Sequence, residues 1–190
     1  MDDPSTTEHN WQAGVTMAVL IVTESVFGNT LTVACAVATG IAQAVGEDSV
    51  AVVGPADAPA QLPADLGLLV VGAPTHGFSM PRPQSRRQVA EKEAAPITET
   101  DSGVREWIQR AVPRPDLPAV SFDTSTKVRF QPGTASNAIF RALRRRGFRN
   151  AEKGPSFHVT GTEGPLADGE TDRAEMWGAR LGAALSTRTM

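Results

Sequence analysis

"MAVLIVTESVFGNTLTV", residues 17–33, joins six apolar residues to a turn made of hydroxyls, an amide and a glycine. Met17 to Val22 is apolar throughout, which suits a strand buried on both faces of a parallel sheet. From Leu31 the apolar residues recur at helical spacing: Leu31, Ala34, Ala38, Ile41, Ala42 and Val45. Gly46 then offers a helix stop. Between strand and helix stand Ser25, Val26, Phe27, Gly28, Asn29 and Thr30. A helix N-terminus carries free N–H groups and a partial positive charge. The hydroxyls of Ser25 and Thr30 and the amide of Asn29 add donors, and Gly28 lets the backbone come close to a ligand. The turn therefore reads as a phosphate seat that needs no lysine. The other reading is an N-capped turn, with Ser25 or Asn29 serving the helix alone. Neither Gly-x4-Gly-Lys-Ser/Thr nor Gly-x-Gly-x-x-Gly occurs in the chain.

Four more strands follow from apolar runs at 49–54, 66–75, 117–122 and 156–161. Helices are expected between them. One covers about 84–94. A second carries Val104, Trp107, Ile108 and Ala111 and ends at Pro113. A third is capped by Thr134 or Ser136, turns Ile139 and Leu143 inward and closes at Gly147. A last one is capped by Asp168, has Glu170 and Asp172 in its first turn, and faces inward with Ala174, Trp177, Leu181 and Leu185. Such alternation argues for a parallel sheet covered on both faces. Ligands of such sheets bind beyond the carboxyl ends of the strands, where the strand order reverses. The turns after strands one, three and four are thus the places to search.

The bulk composition narrows the classes. The 190 residues suit one domain, and 41% hydrophobic with 21% charged residues is ordinary for a globular protein. A net charge of -3 gives no reason to expect nucleic acid as a partner. The single cysteine, Cys35, excludes an intramolecular disulfide and a cysteine-rich metal site, and fits a reducing cytoplasm. Cys35 is expected to pack inside the first helix. No basic leader and no apolar run near ~20 residues is present, so neither a signal peptide nor a membrane span is expected. Residues 1–15 read as a flexible tail anchored at most by Trp11, and residues 17–185 as the folded domain. His9, His76 and His158 show no metal-ligand spacing.

"ESVFGNT" after "AVLIVT" resembles the phosphate loop of flavodoxins, Ser/Thr-x-Thr-Gly-Asn-Thr, matching at Ser25, Gly28, Asn29 and Thr30. Phe27 stands where flavodoxins usually carry threonine, so one hydroxyl is lost while its N–H remains. The resemblance implies a flavodoxin-like three-layer α/β/α sandwich. Its five-stranded parallel sheet would have the order 2-1-3-4-5 and would hold FMN without a covalent bond. It implies further that "GAPTHGFSMP" (72–81) lies against the isoalloxazine ring. Pro74 and Thr75 would shape that loop, and Gly77 would let a peptide flip so that a carbonyl accepts from flavin N5–H. His76 has two readings: a group that couples protons to electrons near neutrality, or a polar loop residue in water. Phe78 either stacks on the ring or anchors the loop. Flavodoxins often stack a tyrosine there, and this chain has none.

"FDTSTKVRFQPG" (122–133) is the third turn. The resemblance places Asp123, Thr124 and Ser125 at the pyrimidine end of the flavin, with Lys127 or Arg129 near its N1/O2 edge. Otherwise these residues make local turns. "RALRRRGFRN" (141–150) could dock an acidic partner, a nucleotide phosphate or RNA, or form a solvated helix end favoured by the dipole. The function implied is electron carriage by FMN between a reductase or nicotinamide donor and an acceptor protein. Two alternatives stand beside it: an FMN-dependent NAD(P)H:quinone oxidoreductase, and a cofactor-free regulatory or binding module. A receiver domain is disfavoured because Glu24 has no acidic neighbour after strand one.

Overall fold

The computed structural model describes residues 18–93, 102–127 and 131–189. The expectations for the tail at 1–15, for Trp11 and for Arg129 lie outside the described residues. Five strands form one sheet: β1 (Val19–Thr23), β2 (Val50–Val53), β3 (Leu68–Pro74), β4 (Ala119–Thr126) and β5 (Ala151–Val159). All pairings are parallel, in the order β2-β1-β3-β4-β5. The helices are α1 (Asn29–Val45), α2 (Pro83–Glu93), α3 (Val104–Arg110), α4 (Ala135–Arg146) and α5 (Glu170–Thr189).

Strand alternation divides the core into two layers. Val19 and Ile21 of β1 join Val33, Val37 and Ile41 of α1 and Ala174 of α5 in one cluster. Leu20 and Val22 join Trp107 of α3 and Ile139 and Leu143 of α4 in the other. Both faces of β1 and β3 are buried, as an uninterrupted apolar run requires. Thr134 caps α4 by accepting from the Asn137 N–H, and Gly147 ends it in the left-handed conformation.

Three expectations need correcting. Leu31 is 46% exposed and Cys35 is exposed, because the buried face of α1 is Val33, Ala34, Val37, Gly40 and Ile41. That face is set by close contact with α5. A Cβ on Gly40 would stand 2.0 Å from the Glu175 carbonyl oxygen, and one on Gly178 would stand 2.2 Å from that of Val37. Glycine here lets two backbones touch. Next, β4 runs on through Thr126, so residues 123–126 are strand and not turn. Last, β5 begins at Ala151, five residues before the expected start. Its early part, Ala151 to Pro155, includes charge, glycine and proline. An edge strand tolerates these because only β4 pairs with it.

Candidate functional site

The β1–α1 turn comes first. Gly28 sits at φ 84°, in the left-handed region, and no side chain caps the helix. The first bond of the helix is Thr32 N–H to the Gly28 carbonyl. Among the described residues, the N–H groups of Ser25 to Leu31 donate to no acceptor. A row of donors without acceptors at the positive end of a 17-residue helix is the arrangement in which an anion is stabilised.

Side chains around this turn divide by task. Asn29 Nδ2 donates to the Glu163 carbonyl at 2.7 Å, which ties the loop after β5 to the start of α1. Gly164 permits that approach, since a Cβ there would lie 2.5 Å from the Asn29 amide. Thr30 and Thr124 share a buried hydroxyl contact of 2.8 Å, joining α1 to β4. The Ser25 hydroxyl is buried and has no partner. Of the three side chains expected to add donors, two are engaged within the protein, and the Ser25 hydroxyl has no partner among the described residues.

Beside the turn lies a cavity of about 140 Å³. The sequence reading named nine of its lining residues: Val26, Phe27, Asn29, Thr30, Pro74, Thr75, His76, Thr124 and Ser125. Thr126, Val159 and Thr162 complete it. Thr126 comes from the unforeseen length of β4, Val159 from the end of β5 and Thr162 from the loop that follows β5. Ser25, Gly28, Gly77, Phe78 and Asp123 are not part of the lining. For Asp123 the reason is strand geometry. Thr124 follows Phe122 toward α1, so Asp123 points to the other face. There its carboxylate accepts from the Ser136 N–H at 2.7 Å, at the start of α4. Burial pushes the Asp123 carboxyl above its ordinary range, against the pull of that N–H. The Ser125 hydroxyl is buried without a partner, and so is His76 Nδ1.

His76 to Ser79 form a two-residue hairpin. His76 N–H donates to the Ser79 carbonyl at 2.9 Å and Ser79 N–H returns to His76 at 3.1 Å. Gly77 and Phe78 hold φ of 53° and 62°. Two consecutive left-handed residues make a type I′ turn, where Gly and Asn are usual. A bulky aromatic in that region costs about 1–3 kcal/mol and persists only where its surroundings fix it. They do so here. Thr75 Oγ1 accepts from the Ala135 N–H at 2.8 Å, and the Phe78 carbonyl oxygen sits 2.5 Å from where a Cβ on Gly133 would stand. The Phe78 side chain is 52% exposed as a result.

Burial holds the His76 imidazole below the ordinary histidine range, and the Arg86 charge lowers it further. His76 is thus neutral at pH 7. A ¹H–¹⁵N NMR titration should give it a midpoint below ~6.5. Because the folded pKa is depressed, the unfolded chain takes the proton first. This contribution to stability is whole above ~6.5 and falls as pH drops toward the folded midpoint.

Sequence reading missed one constellation. Glu24, 6% exposed, pairs with Arg86, 2% exposed, at 3.3 Å, and Arg86 reaches Glu106 at 2.5 Å. Glu24 also accepts from the Val104 N–H at 3.0 Å and Glu106 from the Gly103 N–H at 3.0 Å. The β1–α1 turn is thereby bolted to α2 and α3. Burial pushes the Glu24 carboxyl up, against the opposing effects of Arg86 and the Val104 N–H. No sequence signal links partners 62 residues apart.

No helix among the described residues is long and apolar enough to cross a membrane, and none of their His, Cys, Asp and Glu side chains group to hold a metal. No protein-family model matches the chain, and no curated protein matches it. Solved structures do. A flavodoxin from the domain Archaea is 15% identical, with TM-score 0.58 over 88% of this chain and 97% of that one. Flavodoxin 2 from Bacillus cereus is 13% identical, with TM-score 0.56 over 90% and 98%. A WrbA-like flavodoxin from Agrobacterium tumefaciens is 16% identical, with TM-score 0.51 over 89% and 97%. At these identities the likeness concerns architecture: the chain has the flavodoxin-like fold.

Proposed function

We propose that this chain binds FMN at the β1–α1 turn and carries electrons between a reductase or nicotinamide donor and an acceptor protein. The observation that carries the reading is the run of unpaired N–H groups from Ser25 to Leu31, with the orphaned Ser25 hydroxyl beside it. It lies at the end of β1, between β2 and β3, where the strand order reverses. A phosphate satisfies these donors without a cation.

The rest of the site fits the group in two parts. A cavity of about 140 Å³ is below the ~300 Å³ at which small-molecule clefts begin. It suits a sugar-like chain, for which Ser125 Oγ and His76 Nδ1 are unused partners. The ring system would stand outside it, where Phe78 is the exposed aromatic residue, in a chain without tyrosine. FMN supplies the redox chemistry when bound, one or two electrons at a time. The protein would hold the phosphate and keep a neutral imidazole beside the cavity. No protein acid or base is required. A ring edge left exposed in this way would favour exchange with a partner protein over conversion of an enclosed substrate.

Mixing the FMN-loaded protein anaerobically with NAD(P)H tests the role. A carrier bleaches slowly alone and rapidly once a flavoprotein reductase is added. Rapid bleaching by NAD(P)H alone, with quinone-dependent turnover, would overturn the carrier reading in favour of the quinone oxidoreductase.

A further inference from the structure

A second cleft, of about 410 Å³, opens on the other side of the same turn, between the ends of β1 and β2. It is nearly three times the volume of the first, and it presents unused polar groups. Thr23, 5% exposed, lines it with a buried hydroxyl that has no partner. The Ser25 hydroxyl, also orphaned, lines it too. Asp57, four residues past the end of β2, is exposed, and its carboxylate accepts no hydrogen bond among the described residues. Gly54, which lines the same cleft, lies within van der Waals reach of that carboxylate, a Cβ there standing 3.6 Å from Asp57 Oδ2. Leu31, Val52 and Pro55 supply apolar wall. The exposure of Leu31, unexpected for an apolar residue in the first turn of α1, has a use in this setting. Glu24 also lines the cleft, but its charge is countered by Arg86.

In doubly wound sheets a carboxylate after the second strand can accept from ribose hydroxyls, while the phosphate of the same nucleotide rests on the first strand–helix turn. The present layout has those parts without the glycine fingerprint. We propose that this cleft takes the nucleoside of a ribonucleoside 5′-phosphate. Asp57 accepts from the ribose hydroxyls, the base lies on the Leu31, Val52 and Pro55 wall, and the phosphate uses the N–H groups of the β1–α1 turn. The inference rests on the anion seat invoked for FMN. Because the seat is shared, the two nucleotides exclude one another.

Calorimetric titration of the full chain with 5′-AMP, adenosine and inorganic phosphate tests this, beside a separate FMN titration. Expected is binding of 5′-AMP tighter than either fragment, competition between 5′-AMP and FMN, and a loss of about tenfold or more in 5′-AMP affinity in Asp57→Asn, a step of ~1.4 kcal/mol. FMN affinity should be unchanged in that variant. Asp57 is exposed and unpaired, so the variant folds. An affinity for 5′-AMP no greater than for phosphate, or no loss in Asp57→Asn, overturns the nucleoside site even if FMN binds. Binding of 5′-AMP without FMN binding upholds it and removes the flavin reading. Failure of all three probes and of FMN removes both.

Discussion

Arg86→Met should destabilise the protein by about 3–5 kcal/mol, the usual cost of leaving buried charges without their partner. Arg86 is the shared cation of Glu24 and Glu106, at 3.3 and 2.5 Å, and is itself 2% exposed. Methionine keeps most of the volume and removes the charge. The surviving carboxylates keep one backbone N–H each, from Val104 and Gly103, which offsets only part of the loss. Urea unfolding reads the difference directly. The pH dependence carries a sign. Glu24 already sits above its ordinary value, and removing the guanidinium that lowers it pushes it further up. A raised folded pKa gives stability that is fullest in acid and is lost as pH rises through that pKa. The deficit of Arg86→Met should therefore grow from pH 4 toward pH 7. A deficit under about 1 kcal/mol at pH 7 would mean the pair behaves as a surface bridge. His76 gives a second readout, because the Arg86 charge helps hold its pKa down. Its NMR midpoint should rise in the variant.

The fold was legible where chemistry is local. An apolar run, a turn of donors and a helical repeat stand in order in residues 17–45, and β1 and α1 appear there. Thr134 and Gly147 mark the ends of α4 for the same reason, since a cap is a bond between near neighbours. Legibility failed where tertiary contact decides. The stretch 123–126 reads as a turn by composition, yet pairing with β5 from Asp123 to Thr126 draws it into the sheet. That pairing sends Asp123 and Thr124 to opposite faces, so a site read as three adjacent ligands is divided. Leu31 looked inward by its period, but glycine-mediated contact between α1 and α5 turned the helix so that smaller residues are buried. Arg86 sits in a helix of mostly polar residues, and nothing in its neighbours marks it as the cation that a buried glutamate needs.

The site shows the same division. The run of backbone N–H groups without acceptors was readable, because strand, turn, glycine and the start of the helix lie within residues 19–30. The duties of its side chains were not. Asn29 serves Glu163 and Thr30 serves Thr124, partners 134 and 94 residues away. Phe78 shows how much a turn can override propensity: a hairpin that favours Gly or Asn at both central positions carries phenylalanine at the second.

The second large effect concerns the phosphate itself. Riboflavin and FMN share the ring and ribityl chain, and on the proposed reading only FMN would bring a dianion to the N–H groups of Ser25 to Leu31. Hydrogen bonds to a charged group are worth about 1.5–3 kcal/mol each, so two of them are enough for a large ratio. FMN should bind at least ~100-fold more tightly than riboflavin, a difference of ~2.7 kcal/mol. The preference should weaken with salt less than a surface ion pair would, because the donors are backbone groups at a helix end. Titration of the purified protein with each flavin, followed by quenching of flavin fluorescence, is the most direct test of the cofactor seat. Saturable FMN binding with that ratio is what the proposed cofactor seat predicts. Equal affinities for the two flavins, or no quenching by FMN at tens of micromolar, would contradict it and leave a flavodoxin-shaped chain with another ligand at its first turn.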